Sequence, residues 1–182
     1  KDIETQRDIV IANTGKAIML NLVLYNAKEY LEEDEFYFSY QYDFRGRIYP
    51  IQQHLQPQGK GEFKALLEFK NGCKIEGEEE LFWFLVHGAN CYGYDKELYV
   101  ERVSKIKAKT EEIQQIARDP IGNQRLWKDA DEPYLYLAWC FEYSSFLDSP
   151  ESFVSHIPIA LDATCSGIQI YSGLLRDKSG AE

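Results

Sequence analysis

At 182 residues with 45% hydrophobic content, the chain is too apolar to be disordered and long enough to bury one sizeable core, or a core with an appendage. Its net charge of −10 excludes a general nucleic-acid-coating surface, which would carry a basic excess. No window approaches the roughly 18 uninterrupted apolar residues of a membrane span, and no charged-then-apolar leader opens the chain, so no membrane partner is expected. A start at Lys1 and an end at Ser-Gly-Ala-Glu directly after a helical pattern are what a piece of a longer polypeptide would show. Cys73, Cys91, Cys140 and Cys165 are widely spaced, with no CxxC pair and no nearby zinc-type histidine, which reads as reduced thiols in an intracellular reducing compartment.

From Ile9 to Leu31 apolar residues recur at helical spacing and lead into the acidic run Glu29, Glu32, Glu33, Asp34, Glu35, read as a solvated face. From Phe36 to Ile51 the pattern turns aromatic and β-branched and is interrupted at 43–46, which predicts two strands joined by a turn. "LQPQGKGE" has loop chemistry and "EFKALLEF" predicts a short helix. An amphipathic helix is expected from near Gly77 to Asn90, with Glu78, Glu79 and Glu80 in its first turn, where acids favour the helix dipole. The charged stretch after Gly93 predicts one long helix stopped by Pro120, an exposed arm suited to a protein partner. "YLYLAWCFEYSSFL" after Pro133 predicts a helix buried on most sides, its aromatics core rather than a stacking platform. Ile157 to Leu161 predicts a buried strand ending at Asp162, then a small-residue turn and a helix to about Asp177. These elements make an α+β, predominantly helical chain with a small antiparallel sheet.

Two places carry chemistry. In "SYQYDFRGRIYP" an acid, two arginines and a glycine stand inside a strand-like run. On a strand, Arg45 and Arg47 would share a face, Gly46 would let a nucleic-acid backbone approach, and the guanidinium forks would suit phosphate. Salt bridges to Asp43 or to the acidic run are the alternative; Asp43 itself reads as structural, bonding an arginine or a turn amide. Asp162, displayed where a strand meets a turn, fits a Mg²⁺ ligand, since that ion takes hard oxygens and few protein carboxylates. It fits a helix N-cap equally well.

"DFRGRIYP" and "IPIALDATCSGIQIYSGLLRD" together resemble two signature segments of the single-subunit, bacteriophage-type RNA polymerases, a family with mitochondrial members. The first resembles the D-x-R-G-R segment at Asp43, Arg45, Gly46 and Arg47; the second resembles motif A, with Asp162 on its metal-binding aspartate and Ser166, Gly167, Ile168 and Gln169 on the S-G-I-Q run. "PQGKGEFKALLEF", with Lys64 on a family lysine, "HGANCYGYDK" and "LAWCFEY" are similar to family stretches in the same order, so the resemblance runs from about Phe36 onward. Ala163 stands where family members often have glycine, and Ile170 where a histidine is common.

The resemblance implies part of the palm of a right-handed polymerase fold: an N-terminal helix over 1–35, palm segments at 36–70 and 155–182, and a helical insertion over 71–154. It implies template-directed ribonucleotidyl transfer with two Mg²⁺ ions in the complete enzyme, Asp162 and the Ala163 carbonyl as metal ligands, and Arg45, Arg47, Lys64 and Tyr49 toward nucleic acid. Lys64 reads equally as an exposed helix lysine, and Tyr49 reads better as core. Ser166, Gly167 and Gln169 support the turn, while His87 and His156 read as structural histidines. The implied partners are DNA template, RNA product, ribonucleoside triphosphates and C-terminal polymerase segments carrying a second metal aspartate, a triphosphate-holding residue and a ribose-sensing tyrosine. The 182 residues alone are then expected to be inactive, in a phage or prophage host cytoplasm or a mitochondrion. The competing reading is a non-catalytic module that binds nucleic acid or protein and uses Asp162 as a cap.

Overall fold

The computed structural model describes residues 2–159 and 167–177; Asp162, Ala163, Cys165 and Ser166 lie outside the described residues, and for Gly167 and Gln169 only the helical backbone is described. Helix α1, Asp2–Glu29, presents Ile9, Val10, Ile11 and Ile18 outward and anchors itself through Val23, which is fully buried. Val23 packs with Leu55, Phe63 and Leu67, and Leu20, Ala27, Phe36 and Phe38 close this small core. Residues 4–29 are long and apolar enough to cross a membrane by length and composition. Asn13, Lys16, Asn21 and Asn26 nevertheless interrupt the stretch, so it is not an unbroken apolar run.

Strands β1, Tyr40–Tyr42, and β2, Ile48–Pro50, form the expected antiparallel pair, with Tyr40 opposite Pro50 and Tyr42 opposite Ile48. Helix α2, Gly61–Lys64, is shorter than the sequence pattern implied. Strand β3, Cys73–Lys74, pairs antiparallel with β4, Val154–Ser155. Of the predicted strand at Ile157–Leu161, residues 157–159 form no strand and 160–161 lie outside the described residues; the ladder ends at Ser155, and Ile159 is 45% exposed.

The chain between β3 and β4 folds into a helical layer with its own core. Helix α3, Glu78–Tyr92, starts at Gly77 and stops at Gly93, whose φ of 118° is the left-handed conformation that ends helices cheaply only for glycine. The expected single arm is two helices, α4, Tyr99–Ala108, and α5, Thr110–Arg118, broken at Lys109. It is not an exposed arm. Ile106, Ile113 and Ile116 recur at helical spacing and are fully buried, so the pair packs down through that stripe and turns its charges outward.

Helix α6, Pro133–Asp148, opens with proline at its first turn, where the missing amide costs nothing. Its buried residues Tyr136, Trp139, Cys140 and Tyr143 follow an i, i+3, i+4, i+7 stripe, each large side chain contributing about 2 kcal/mol by leaving water. Tyr134 and Phe141 lie off that stripe and stay partly exposed, so the aromatic run is core on one face only. Trp139 anchors the layer: its indole N–H donates to the Phe84 carbonyl at 2.9 Å, and its ring stacks on Tyr143 at 4.9 Å. Helix α7, Gly167–Leu175, follows as expected, with Leu174 and Leu175 outward. The chain is thus α+β, mostly helical, with small antiparallel sheets.

Candidate nucleic-acid interface

The β1–β2 hairpin turns through three residues, Phe44, Arg45 and Gly46. The Asp43 amide donates to the Arg47 carbonyl at 2.9 Å and the Gly46 amide donates to the Asp43 carbonyl at 3.0 Å, a type I turn followed by a glycine bulge. Gly46 sits at φ 77°, which explains its identity without invoking a ligand, although its outer side is also open, with no atom within 4 Å of where a methyl group would sit. One Asp43 oxygen accepts the amides of Arg45 at 2.8 Å and Arg47 at 2.9 Å; the other accepts Arg45 Nε at 3.2 Å. These bonds, the Arg47 amide foremost, hold the Asp43 carboxyl below the usual aspartate range.

The two arginines therefore do not share a strand face. The turn begins before Arg45, so its guanidinium folds back on Asp43 and lies 5.4 Å from the Phe44 ring, while Arg47 makes no ion pair among the described residues. Phe44, 96% exposed, stands at the tip. Tyr49 is half-buried on β2. Lys64 ends α2 and belongs elsewhere: its charge reaches the buried Cys91 thiol of α3, and no hydrogen bond or ion pair among the described residues joins it to the hairpin.

A second basic feature lies behind the hairpin. The loop after β2, tied to it by Gln58 Nε2 donating to the Ile48 carbonyl at 3.1 Å, forms with α1 an open cleft of about 570 Å³. Lys16 and Gly15 of α1 face Lys60, Gly59 and His54 across it, Phe63 lines its floor, and no carboxylate among the described residues lines it. His54 Nδ1 is buried without a hydrogen-bond partner among the described residues. Sequence reading did not single out Lys16 or His54; a lysine beside glycine inside an apolar helical run was the available signal.

Both predicted structural histidines are engaged. His87 is buried on α3 with Nε2 3.8 Å from the Cys91 thiol, and burial lowers its pKa to about 4. Burial likewise pushes the Cys91 thiol up to about 12, which makes it an inert core group. His156 Nδ1 lies 2.7 Å from the Phe69 carbonyl. No group of three or more His, Cys, Asp or Glu side chains among the described residues could hold a metal.

A basic hairpin and a basic cleft thus stand on an acidic chain. The family model described as DNA-dependent RNA polymerase matches residues 74–182, and the chain belongs to that family, in its single-subunit bacteriophage-type branch. It is 38% identical over 169 residues to the DNA-directed RNA polymerase of Enterobacteria phage T3 and 37% identical over 169 residues to T7 RNA polymerase of Escherichia phage T7, each match covering 93% of this chain and 19% of the relative. The mitochondrial DNA-directed RNA polymerase 1 of Arabidopsis thaliana is 38% identical over 167 residues, 90% of this chain and 17% of that protein. The chain thus spans about a fifth of the length of these relatives, and matches this long take in the 40–50 hairpin, which lies before the family model begins.

Proposed function

We propose that the chain supplies part of the palm and of the template-contacting surface of a DNA-directed RNA polymerase that joins ribonucleotides on a DNA template. The observation that carries this is kinship with polymerases along nine-tenths of the chain, coupled with positive charge gathered at the hairpin and cleft of an acidic protein. Residues 36–70 and 155–182 are the palm segments, 71–154 the helical insertion and 1–35 the leading helix. The separate core of buried residues from Phe84 to Tyr143 supports that division. Exposed apolar residues on α1 and α7 support a further partner, the remaining polymerase segments, which would cover them.

Within the reaction, the RNA 3′-hydroxyl attacks the α-phosphate of the incoming ribonucleotide and pyrophosphate leaves. Arg47, Phe44 and the Lys16–Lys60 cleft hold the phosphates and bases of template and product in place, with Arg45 partly spent on Asp43; Lys64 and Tyr49 border the palm. Asp162 and the Ala163 carbonyl are oxygen donors of the hard type that Mg²⁺ takes, and a two-ion site also needs a second carboxylate from elsewhere in the polypeptide. When bound, the ions stabilise negative charge on the attacking and leaving oxygens. Ser166, Gly167 and Gln169 shape the turn that displays Asp162. With one metal carboxylate, the 182 residues alone are inactive. The phage and mitochondrial relatives favour a phage host cytoplasm or a mitochondrion as the place of action.

The test is template-dependent ribonucleotide incorporation by the full polypeptide that carries this chain, with and without Asp162→Asn. Loss of incorporation with template binding retained is the expected result. Incorporation unimpaired by the substitution would overturn the role of Asp162. A full polypeptide that binds template yet never incorporates would favour the non-catalytic module.

A further inference from the structure

The place where the helical layer meets the second sheet is built around one carboxylate. Glu142, half-buried on α6, accepts the Ser155 hydroxyl on Oε2 and the His156 amide on Oε1, the latter at 3.0 Å. Both of its oxygens are therefore committed to two consecutive residues of the segment that runs on to Asp162, six positions further along the chain. His156 is itself doubly bonded to Phe69: the Phe69 amide donates to the His156 carbonyl at 2.8 Å, and His156 Nδ1 lies 2.7 Å from the Phe69 carbonyl. Phe69 lies five residues after Lys64. Packing leaves no slack here, because a methyl on Gly72 would meet Val154 Cγ1 at 2.4 Å, the Ser155 carbonyl at 2.7 Å and His156 Nε2 at 2.8 Å.

We propose that Glu142 is a positioning residue for nucleotidyl transfer, clamping Ser155 and His156 beside Phe69 at the point from which the chain runs on to Asp162. The clamp also ties the insertion to this segment: α6 is rooted in the helical core through Tyr136, Trp139 and Tyr143, so Glu142 fastens Ser155 and His156 to that core. A charged acceptor suits the task, since a bond to an ionised oxygen is about twice as strong as a neutral one and two of them fix direction as well as distance. The inference rests on the reading of Asp162 given above.

The test compares Glu142→Ala and Glu142→Gln in the complete polymerase. Removing the carboxylate leaves a half-buried amide and a hydroxyl without this partner and frees Ser155 and His156 to shift, so kcat for Glu142→Ala is expected to fall about 10- to 100-fold, as ångström-scale misplacement does, with ribonucleotide KM and template affinity within about 2-fold. Glutamine keeps an acceptor for the His156 amide and restores most of kcat. Ser155→Ala, which removes one of the two bonds and leaves the other, gives a smaller fall of the same kind and stands in if Glu142→Ala does not fold. Unchanged kcat in folded Glu142→Ala, or a parallel loss of kcat, KM and template affinity that glutamine does not rescue, would overturn the clamp. Asp162→Asn in the same assay separates the two readings. If it kills incorporation and Glu142→Ala does not, the clamp alone is wrong; if neither matters, the Asp162 reading has failed.

Discussion

Asp43 and Arg47 close the hairpin tip from both sides: the Arg47 amide donates to the Asp43 carboxylate at 2.9 Å, and the Arg47 carbonyl accepts the Asp43 amide at 2.9 Å. The carboxylate thereby fixes where the Arg47 side chain departs. Asp43→Asn keeps one acceptor oxygen for the two turn amides and loses the Arg45 ion pair, whereas Asp43→Ala loses both. Amide hydrogen exchange at Arg45 and Arg47 should quicken markedly in the alanine variant and little in the asparagine variant. The pH dependence has a definite sign. The folded carboxyl lies below its ordinary value of 3.8, so its contribution to the turn is fully present above that pH and is lost as pH falls through the lower folded value. The Arg47 amide resonance should therefore titrate below pH 3.8; a midpoint above it would mean the bond is not formed in solution.

Arg45 and Arg47 should differ in weight on nucleic acid. Arg47 has no competing carboxylate for its guanidinium among the described residues, and Arg45 shares its charge with Asp43 at 3.2 Å. In the complete polymerase, Arg47→Ala is expected to weaken template binding and to reduce the slope of log affinity against log salt by about 1, the signature of one lost phosphate contact. Arg45→Ala should change the slope less. Equal slopes for both variants would mean that the Asp43 pair opens on binding.

Much of the scaffold was legible because its signals are local. Gly77 and Gly93 bracket α3, Pro133 starts α6, and alternating aromatics around Asp43 to Gly46 specify a hairpin. The misses come from tertiary choices that no local pattern holds. Ile106, Ile113 and Ile116 were visible as a stripe, yet the surrounding charge read as an arm until α3 and α6 were there to cover them. Arg45 and Arg47 read as one strand face because spacing of two implies that, and only the position of the turn residues decides otherwise. The Lys16–Lys60 cleft joins positions 44 residues apart in sequence, and Glu142 bonds a segment 13 and 14 residues downstream, pairings that only the folded chain brings together.

His87 makes the helical layer sensitive to acid. Burial lowers its pKa from 6.5 to about 4, so the unfolded chain takes up a proton first as pH falls. Its neutral-state contribution is complete above pH 6.5, declines between 6.5 and 4, and is gone below that, a loss on the order of 3 kcal/mol. His87→Gln, which removes the titrating group, should flatten the dependence of the unfolding midpoint on pH in this window. An unaltered slope would assign the acid sensitivity to other groups.

Gly88 and Gly15 both lie inside helices, and alanine should move stability in opposite directions at the two. At Gly88 a methyl would come within 2.2 to 2.5 Å of the Trp139 indole ring. That ring has nowhere to go: it is fully buried, held by its N–H to Phe84 and stacked against Tyr136 and Tyr143. Overpacking of this kind costs about 1 to 3 kcal/mol and outweighs the gain of about 1 kcal/mol that alanine brings to a helix over glycine. At Gly15 nothing lies within 4 Å, so the propensity gain stands uncontested. Thermal unfolding should show Gly88→Ala less stable than the parent and Gly15→Ala as stable or more so. A Gly88→Ala protein that melts higher would mean that Trp139 repacks, and with it the junction of α3 and α6 on which the helical layer is built.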